Sequence, residues 1–235
     1  MKQFFKRAFY SFAGLPLVHY LGRPWRGRAC VLCYHRVLPD DEIETVKSPN
    51  SNLIVPTSRF SEQMAFLSEN YEVVSMDELV SYLKSEPYGV LKKFVVAVTF
   101  DDGYKDNLTH ALPVLEKYNI PATIYITTRF PEGDTWMWWY EIWDYLKNVN
   151  SIELNGIQKN EYWETRTLKQ KIRCYNKLLD RILNLPFDEQ IQLVEIITKI
   201  KDRKQYSHLC LNWEEIAILD QHPLTTIGAH THSHP

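Results

Sequence analysis

Apolar and polar positions along this chain follow two periods, and the switches between them mark out its elements. Ala29 to Tyr34 and Val95 to Phe100 are nearly unbroken β-favouring runs, the pattern of strands covered on both faces. Between them Phe60, Met64 and Leu67 recur at helical spacing. Val73-Val74 reads as a short strand, and Ser75-Met76-Asp77-Glu78 is a capping box opening a helix to about Lys84. Further on, Leu108, Ala111, Leu112 and Leu115 form a second helical stripe, which Asn119-Ile120-Pro121 ends before a strand from Ala122 to Thr127. Strand and helix alternating in this way predict a parallel α/β architecture.

The alternation then breaks. A gap of 128 positions separates Asp102 from His230, against roughly 30 residues for a simple βαβ unit. Within it Leu168, Ile172, Tyr175, Leu179 and Ile182, then Ile191, Val194 and Ile197, keep a helical period. The pattern predicts a helical insertion over about 134–207, on the loop side of the strands. Asn212-Trp213-Glu214-Glu215 is another capping box, and Thr225 to Ile227 is strand-like. Asp40, Asp41 and Asn50 to Asn52 read as a polar loop.

Chemistry gathers where two of these strands end. Asp101, Asp102 and Gly103 follow the run that closes at Phe100, and His230 and His234 follow the run from Thr225. One carboxylate with two imidazoles is the set that holds catalytic zinc or non-haem iron with a position left open. Alone, an Asp-Asp pair at a strand end is more often a solvated turn, and an HxxxH pair says little more. Together and in this order they point to metal.

The stretches TFDDGY (Thr99 to Tyr104) and HTHSHP (His230 to Pro235) resemble the first two motifs of the polysaccharide deacetylase family, the NodB-homology carbohydrate esterases. Val31 to Val37, VLCYHRV, resembles that family's opening strand, and Asp106 to Thr127 resembles the helix and strand after its Asp-Asp turn; the resemblance covers about 30–128 and 211–235. It implies an α/β fold of the distorted (β/α) barrel type over 29–235. It also implies a divalent metal, zinc first, on Asp102, His230 and His234, with Asp101 as the base that activates water. The implied reaction is hydrolysis of N-acetyl groups from an amino-sugar polymer or oligomer. His232 matches no ligand position, and Thr231 and Ser233 are expected to brace the turn. The family's later motifs, an Arg-Pro-aromatic segment and a Leu-x-His whose histidine protonates the amine, do not occur before Pro235. The expectation is therefore an incomplete barrel and weak turnover.

Four further residues are candidates for substrate contact. His35 ends the first strand and either meets substrate or a catalytic carboxylate, or is a hydrogen-bonded structural histidine. Tyr104 belongs to the Asp-Asp motif. Trp138 and Trp139 sit in the densest aromatic patch, Trp136 to Trp143; they either stack on sugar rings or pack the insertion onto the domain.

Composition narrows the classes. A chain of 235 residues that is 45% hydrophobic can bury a real core, and its net charge of -2 gives no electrostatic case for nucleic acid. Four cysteines are too few and scattered for a secreted disulfide framework, and Cys30 and Cys33, three apart in a strand, point to opposite faces. Besides the hydrolase, two readings remain: a non-catalytic saccharide- or membrane-binding module on the same fold, and a nucleotide-sugar transferase. The last is disfavoured because it needs no histidine pair and no phosphate-cradling glycine loop is present.

Residues 1–28 read as an amphipathic segment, with Phe4, Phe5, Ala8, Phe9 and Phe12 on one helical face and Lys2, Lys6 and Arg7 around it. Ser11, Pro16 and His19 interrupt the apolar part, so no clear signal peptide is formed, and the expected location is cytoplasmic or on a membrane surface. Membrane contact through residues 1–20 and packing on the domain remain alternatives. If the phenylalanines enter a bilayer interface, deleting residues 1–24 will abolish sedimentation with anionic vesicles and leave the fold intact. Equal sedimentation with and without them leaves only packing.

Overall fold

A computed structural model describes residues 29–43, 50–85, 94–154, 161–200 and 204–234. The amphipathic segment expected over 1–28, and with it membrane contact through residues 1–20, lies outside them.

Five parallel strands make the central sheet. β5 (Val95–Phe100) lies in the middle and is buried at all six positions. β1 (Ala29–Tyr34) runs along one edge of it, from Ala29 beside Val95 to Tyr34 beside Phe100. The other edge is shared: β4 (Glu72–Val73) takes its first half and β6 (Ala122–Ile126) its second. β9 (Thr225–Ala229) then pairs with β6. Among the described residues the sheet is open, with β1 and β9 ending the run. The α/β class expected from the alternation is what forms.

Helices cover the sheet as their apolar stripes require. α2 (Thr57–Asn70) buries Phe60, Met64 and Leu67. α3 (Met76–Ser85) starts at the expected box, where the Glu78 carboxylate accepts from the Ser75 backbone N–H and Ser75 Oγ accepts from the Glu78 N–H. The helix after the Asp-Asp turn opens with a wide π-type turn, Asn107–Ala111, before α4 (Leu112–Tyr118), and ends at Asn119 in the left-handed conformation. α8 (Trp213–Gln221) carries the second expected box, Asn212 with Glu215.

Two stretches differ from expectation. The segment read as a polar loop contains a short parallel pair, β2 (Arg36–Leu38) with β3 (Ile54–Pro56), joined through α1 (Asp40–Ile43) and a 3-10 turn at Ser51–Leu53. Three-residue strands are too short to show a period. The stretch 134–207 is also not purely helical. It holds α5 (Trp138–Asn148), an antiparallel pair of β7 (Ser151–Leu154) and β8 (Glu161–Glu164), α6 (Leu168–Leu183) and α7 (Phe187–Thr198). These elements bury a core of their own, including Trp138, Ile142, Tyr175, Leu178 and Val194.

A buried ion pair ties β2 to the turn after β5. Arg36 Nε donates to Asp106 Oδ2 at 2.8 Å, and Asp106 Oδ1 accepts from the Val37 backbone N–H at 2.9 Å. Arg36 also donates to Tyr140 Oη from α5 at 3.2 Å and lies over the Tyr104 ring. Burial alone would weaken the guanidinium's charge, but Asp106 and Tyr140 hold its pKa above the ordinary value. Replacing Asp106 with Ala strands that charge, so urea unfolding should register a loss of about 3–5 kcal/mol. The double variant Arg36→Met, Asp106→Leu should recover most of it, and a single-variant loss under about 1 kcal/mol would mean that water already screens the pair.

Candidate metal centre and its surroundings

Side-by-side strand ends create the site. Hydrogen bonding continues past both pairs: the Asp101 N–H donates to the Tyr34 carbonyl at 2.9 Å, and the His230 N–H donates to the Ile126 carbonyl at 2.8 Å. His35, Asp101, Thr127 and His230 are thus brought to one mouth, the usual place for chemistry in parallel α/β folds.

At that mouth the chain turns sharply. Asp102 has φ 74° and Gly103 φ 73°. The positive φ at Gly103 favours glycine, and an added Cβ there would also come 2.7 Å from Ile126 Cδ1 on β6, which would have to shift. The turn is clamped from outside by the end of the insertion: the Lys105 N–H donates to the Leu209 carbonyl, the Leu211 N–H to the Gly103 carbonyl, and Tyr104 bridges Cys210.

On the histidine side Thr231 and His234 also have positive φ, 59° and 49°. For a β-branched threonine this is costly, on the order of 1–3 kcal/mol. Hydrogen bonds hold it. Thr231 Oγ1 accepts from the His234 N–H, Thr127 Oγ1 donates to the His230 carbonyl, and the Thr128 and Arg129 N–H groups donate to the carbonyls of Thr231 and His232. The bracing expected of Thr231 is present. His232 turns away to Thr128 Oγ1, 2.9 Å from its Nδ1.

The outcome is a compact donor set. Asp102, His230 and His234 each offer one ligand atom, all within 4.8 Å of one another. His234 Nε2 and His230 Nε2 lie 3.2 and 3.5 Å from Asp102 Oδ1. That is near enough for charge attraction but without the alignment of hydrogen bonds, so Oδ1 is a buried oxygen with no hydrogen-bond donor, and His234 Nδ1 is likewise unbonded. Asp102 is only 3% exposed. A buried carboxylate oxygen facing two imidazoles and lacking a donor fits a divalent cation.

Aromatic packing fixes His234. Its ring lies 4.9 Å from Trp139 and is stacked on Phe130 at 6.4 Å between centroids. Phe130 escaped sequence reading, since a lone aromatic in a loop carries no period. The residues considered for substrate contact are placed as follows. Tyr104, Trp138 and Trp139 are 3%, 4% and 8% exposed and pack in the insertion's core, because the apolar stripe of α5 must be covered by α6 and α7. His35 is held through its backbone carbonyl, which accepts from Asn107 Nδ2, and its side chain is not part of the donor set. Two more residues were missed: Asp106, which anchors the turn, and Cys33, whose Sγ donates to Asp101 Oδ2 at 3.1 Å.

Residues 89–235 match the family model described as polysaccharide deacetylase. Over 97 residues the chain is 34% identical to YxkH of Bacillus subtilis (strain 168), provisionally assigned as a polysaccharide deacetylase, covering 41% of this chain and 30% of that one. Over 146 residues it is 29% identical to the poly-beta-1,6-N-acetyl-D-glucosamine N-deacetylase of Staphylococcus aureus (strain N315), covering 59% of this chain and 47% of that one. The chain thus spans less than half the length of these curated relatives. The solved structure of the Streptococcus pyogenes deacetylase PplD in complex with acetate is 31% identical over 45% of each chain, with a TM-score of 0.39.

Burial alone would lower the pKa of His234, but its contact with Asp102 and the negative charges of Asp102 and then Asp101 raise it above the ordinary value. A raised pKa keeps the proton on His234 to higher pH, and that proton must leave before the nitrogen can ligate. Metal uptake will therefore strengthen as the pH rises above the ordinary imidazole range, as chelator competition would measure. The variant Asp102→Ala, His234→Ala should hold no stoichiometric metal; metal retained by it would dismiss the donor set.

Proposed function

Because the chain belongs to the polysaccharide deacetylase family, we propose that it takes part in hydrolysis of N-acetyl groups from an amino-sugar polymer. The observation that carries this reading is the convergence of Asp102, His230 and His234 beside a second carboxylate, Asp101, on the same turn. The name of the Staphylococcus aureus relative supports a polymer of N-acetylglucosamine as substrate.

In this reading Asp102, His230 and His234 hold the divalent cation, and zinc is the one we favour for a one-carboxylate, two-imidazole set. When bound, such a cation polarises a carbonyl oxygen and makes water more acidic. Each protein group then has a distinct task. Asp101 takes the proton from the attacking water. The new C–O bond forms at the acetamide carbon, the C–N bond breaks as its nitrogen takes up the proton removed from the water, and acetate and an amine depart. Asp102 balances the charge of the site from its buried position. Phe130 and Trp139 keep the His234 ring from rotating, and their apolar faces exclude water from one side of the cluster. We also propose that residues 1–20 rest on an anionic membrane surface.

Asp101→Asn keeps the size of the side chain and removes the base. Acetate release from N-acetylglucosamine oligomers should fall by roughly 10²-fold or more, with metal content equal to the parent's. Parental turnover in this variant would remove Asp101 from the reaction. Tight binding of oligosaccharide and metal by the parent without acetate release would favour a non-catalytic saccharide-binding module.

A further inference from the structure

Cys33 stands on the same strand face as the proposed base. In the β1–β5 register Cys33 is the partner of Thr99, and Asp101 lies two positions beyond Thr99, so the period of a strand turns all three side chains to one side. The backbone bond from the Asp101 N–H to the Tyr34 carbonyl fixes that alignment at the strand ends. Thr99 Oγ1 donates to the Leu32 carbonyl at 3.3 Å and also lies against the Cys33 sulfur. The thiol then reaches Asp101 Oδ2 at 3.1 Å.

We propose that Cys33 is a positioning residue for Asp101, engaging Oδ2 so that the carboxylate stays in one orientation with its other oxygen free to accept a proton. This rests on the reading of Asp101 as base. A thiol suits the task because it stays neutral and donates: partial desolvation of the sulfur, and then the bond to Asp101, push its pKa up to about 11. Its exposure leaves it open to alkylation, slowed by the small thiolate fraction. Among the four cysteines Cys33 is the exposed one, Cys30 is partly covered, and Cys174 and Cys210 are buried. A carboxamidomethyl group on Cys33 would remove the donor and fill the space beside the carboxylate.

The experiment combines kinetics with thiol labelling of the same protein. Cys33→Ala should lower kcat by about 10-fold, with KM and metal content at parental values, and Cys33→Ser, which still donates, should recover most of that loss. Iodoacetamide should inactivate the parent in step with labelling of Cys33, located by mass spectrometry, and should leave the kcat of Cys33→Ser untouched. Parental kcat in Cys33→Ala, or full activity after Cys33 is labelled, overturns the proposal. The labelling arm stands apart from catalysis: Asp101→Ala removes the acceptor, so Cys33 should label several-fold faster than in the parent. An unchanged labelling rate rejects the contact itself. A faster rate in a protein that never releases acetate keeps the contact and rejects the deacetylase reading.

Discussion

The buried carboxylate of Asp102 is the constraint around which the rest is arranged. A charged group 3% exposed, with one oxygen lacking a hydrogen-bond donor, is costly unless positive charge is brought to it. The fold brings two imidazoles from a strand more than a hundred residues away, and it does so through backbone pairing. Because β9 lies beside β6, and β6 beside β5, the segment after Ala229 is delivered to the mouth where Asp102 already stands. The parallel register, more than any side-chain contact, sets the spacing of the three donors.

Holding that carboxylate in place requires the turn after β5 to be rigid, and it is fastened from two sides. From β2, Arg36 and the Val37 N–H grip Asp106 four residues past Asp102. From the end of the insertion, Leu209 and Leu211 zip along Gly103 and Lys105. The insertion is therefore joined to the site at both ends: its exit braces the Asp-Asp turn, while Trp139 near its start packs against His234. Left-handed backbone at Asp102, Thr231 and His234 is concentrated at this one place. Strain of that kind persists where surrounding hydrogen bonds over-determine the chain, and here they do.

Several of these features were legible in the sequence because they are local. Nearly unbroken β-favouring runs announced β1 and β5, i, i+3 and i+4 apolar spacing announced α2 and α6, and the Ser75–Glu78 and Asn212–Glu215 boxes marked helix starts within a residue. The Thr167–Gln170 box at the start of α6 follows the same rule. Of the short strands, β4 was announced by its Val73-Val74 pair, whereas β2, β3, β7 and β8, with three or four residues each, showed no period to read. Tyr104, Trp138 and Trp139 were ambiguous for a different reason. A ring that stacks on sugar and a ring that packs a helix have the same identity in sequence, and only the fold shows how far each is buried.

What the sequence by itself determined is the inventory: an α/β chain, an Asp-Asp turn made possible by Gly103, and a histidine pair at another strand's end, each written in consecutive residues by steric and hydrogen-bonding rules. What only the tertiary structure decided is proximity. Cys33 beside Asp101, Arg36 on Asp106, and Phe130 stacked on His234 join residues from 68 to 104 positions apart. Contacts of that kind depend on strand order and register, which are global choices of packing and leave no mark in any local window of sequence.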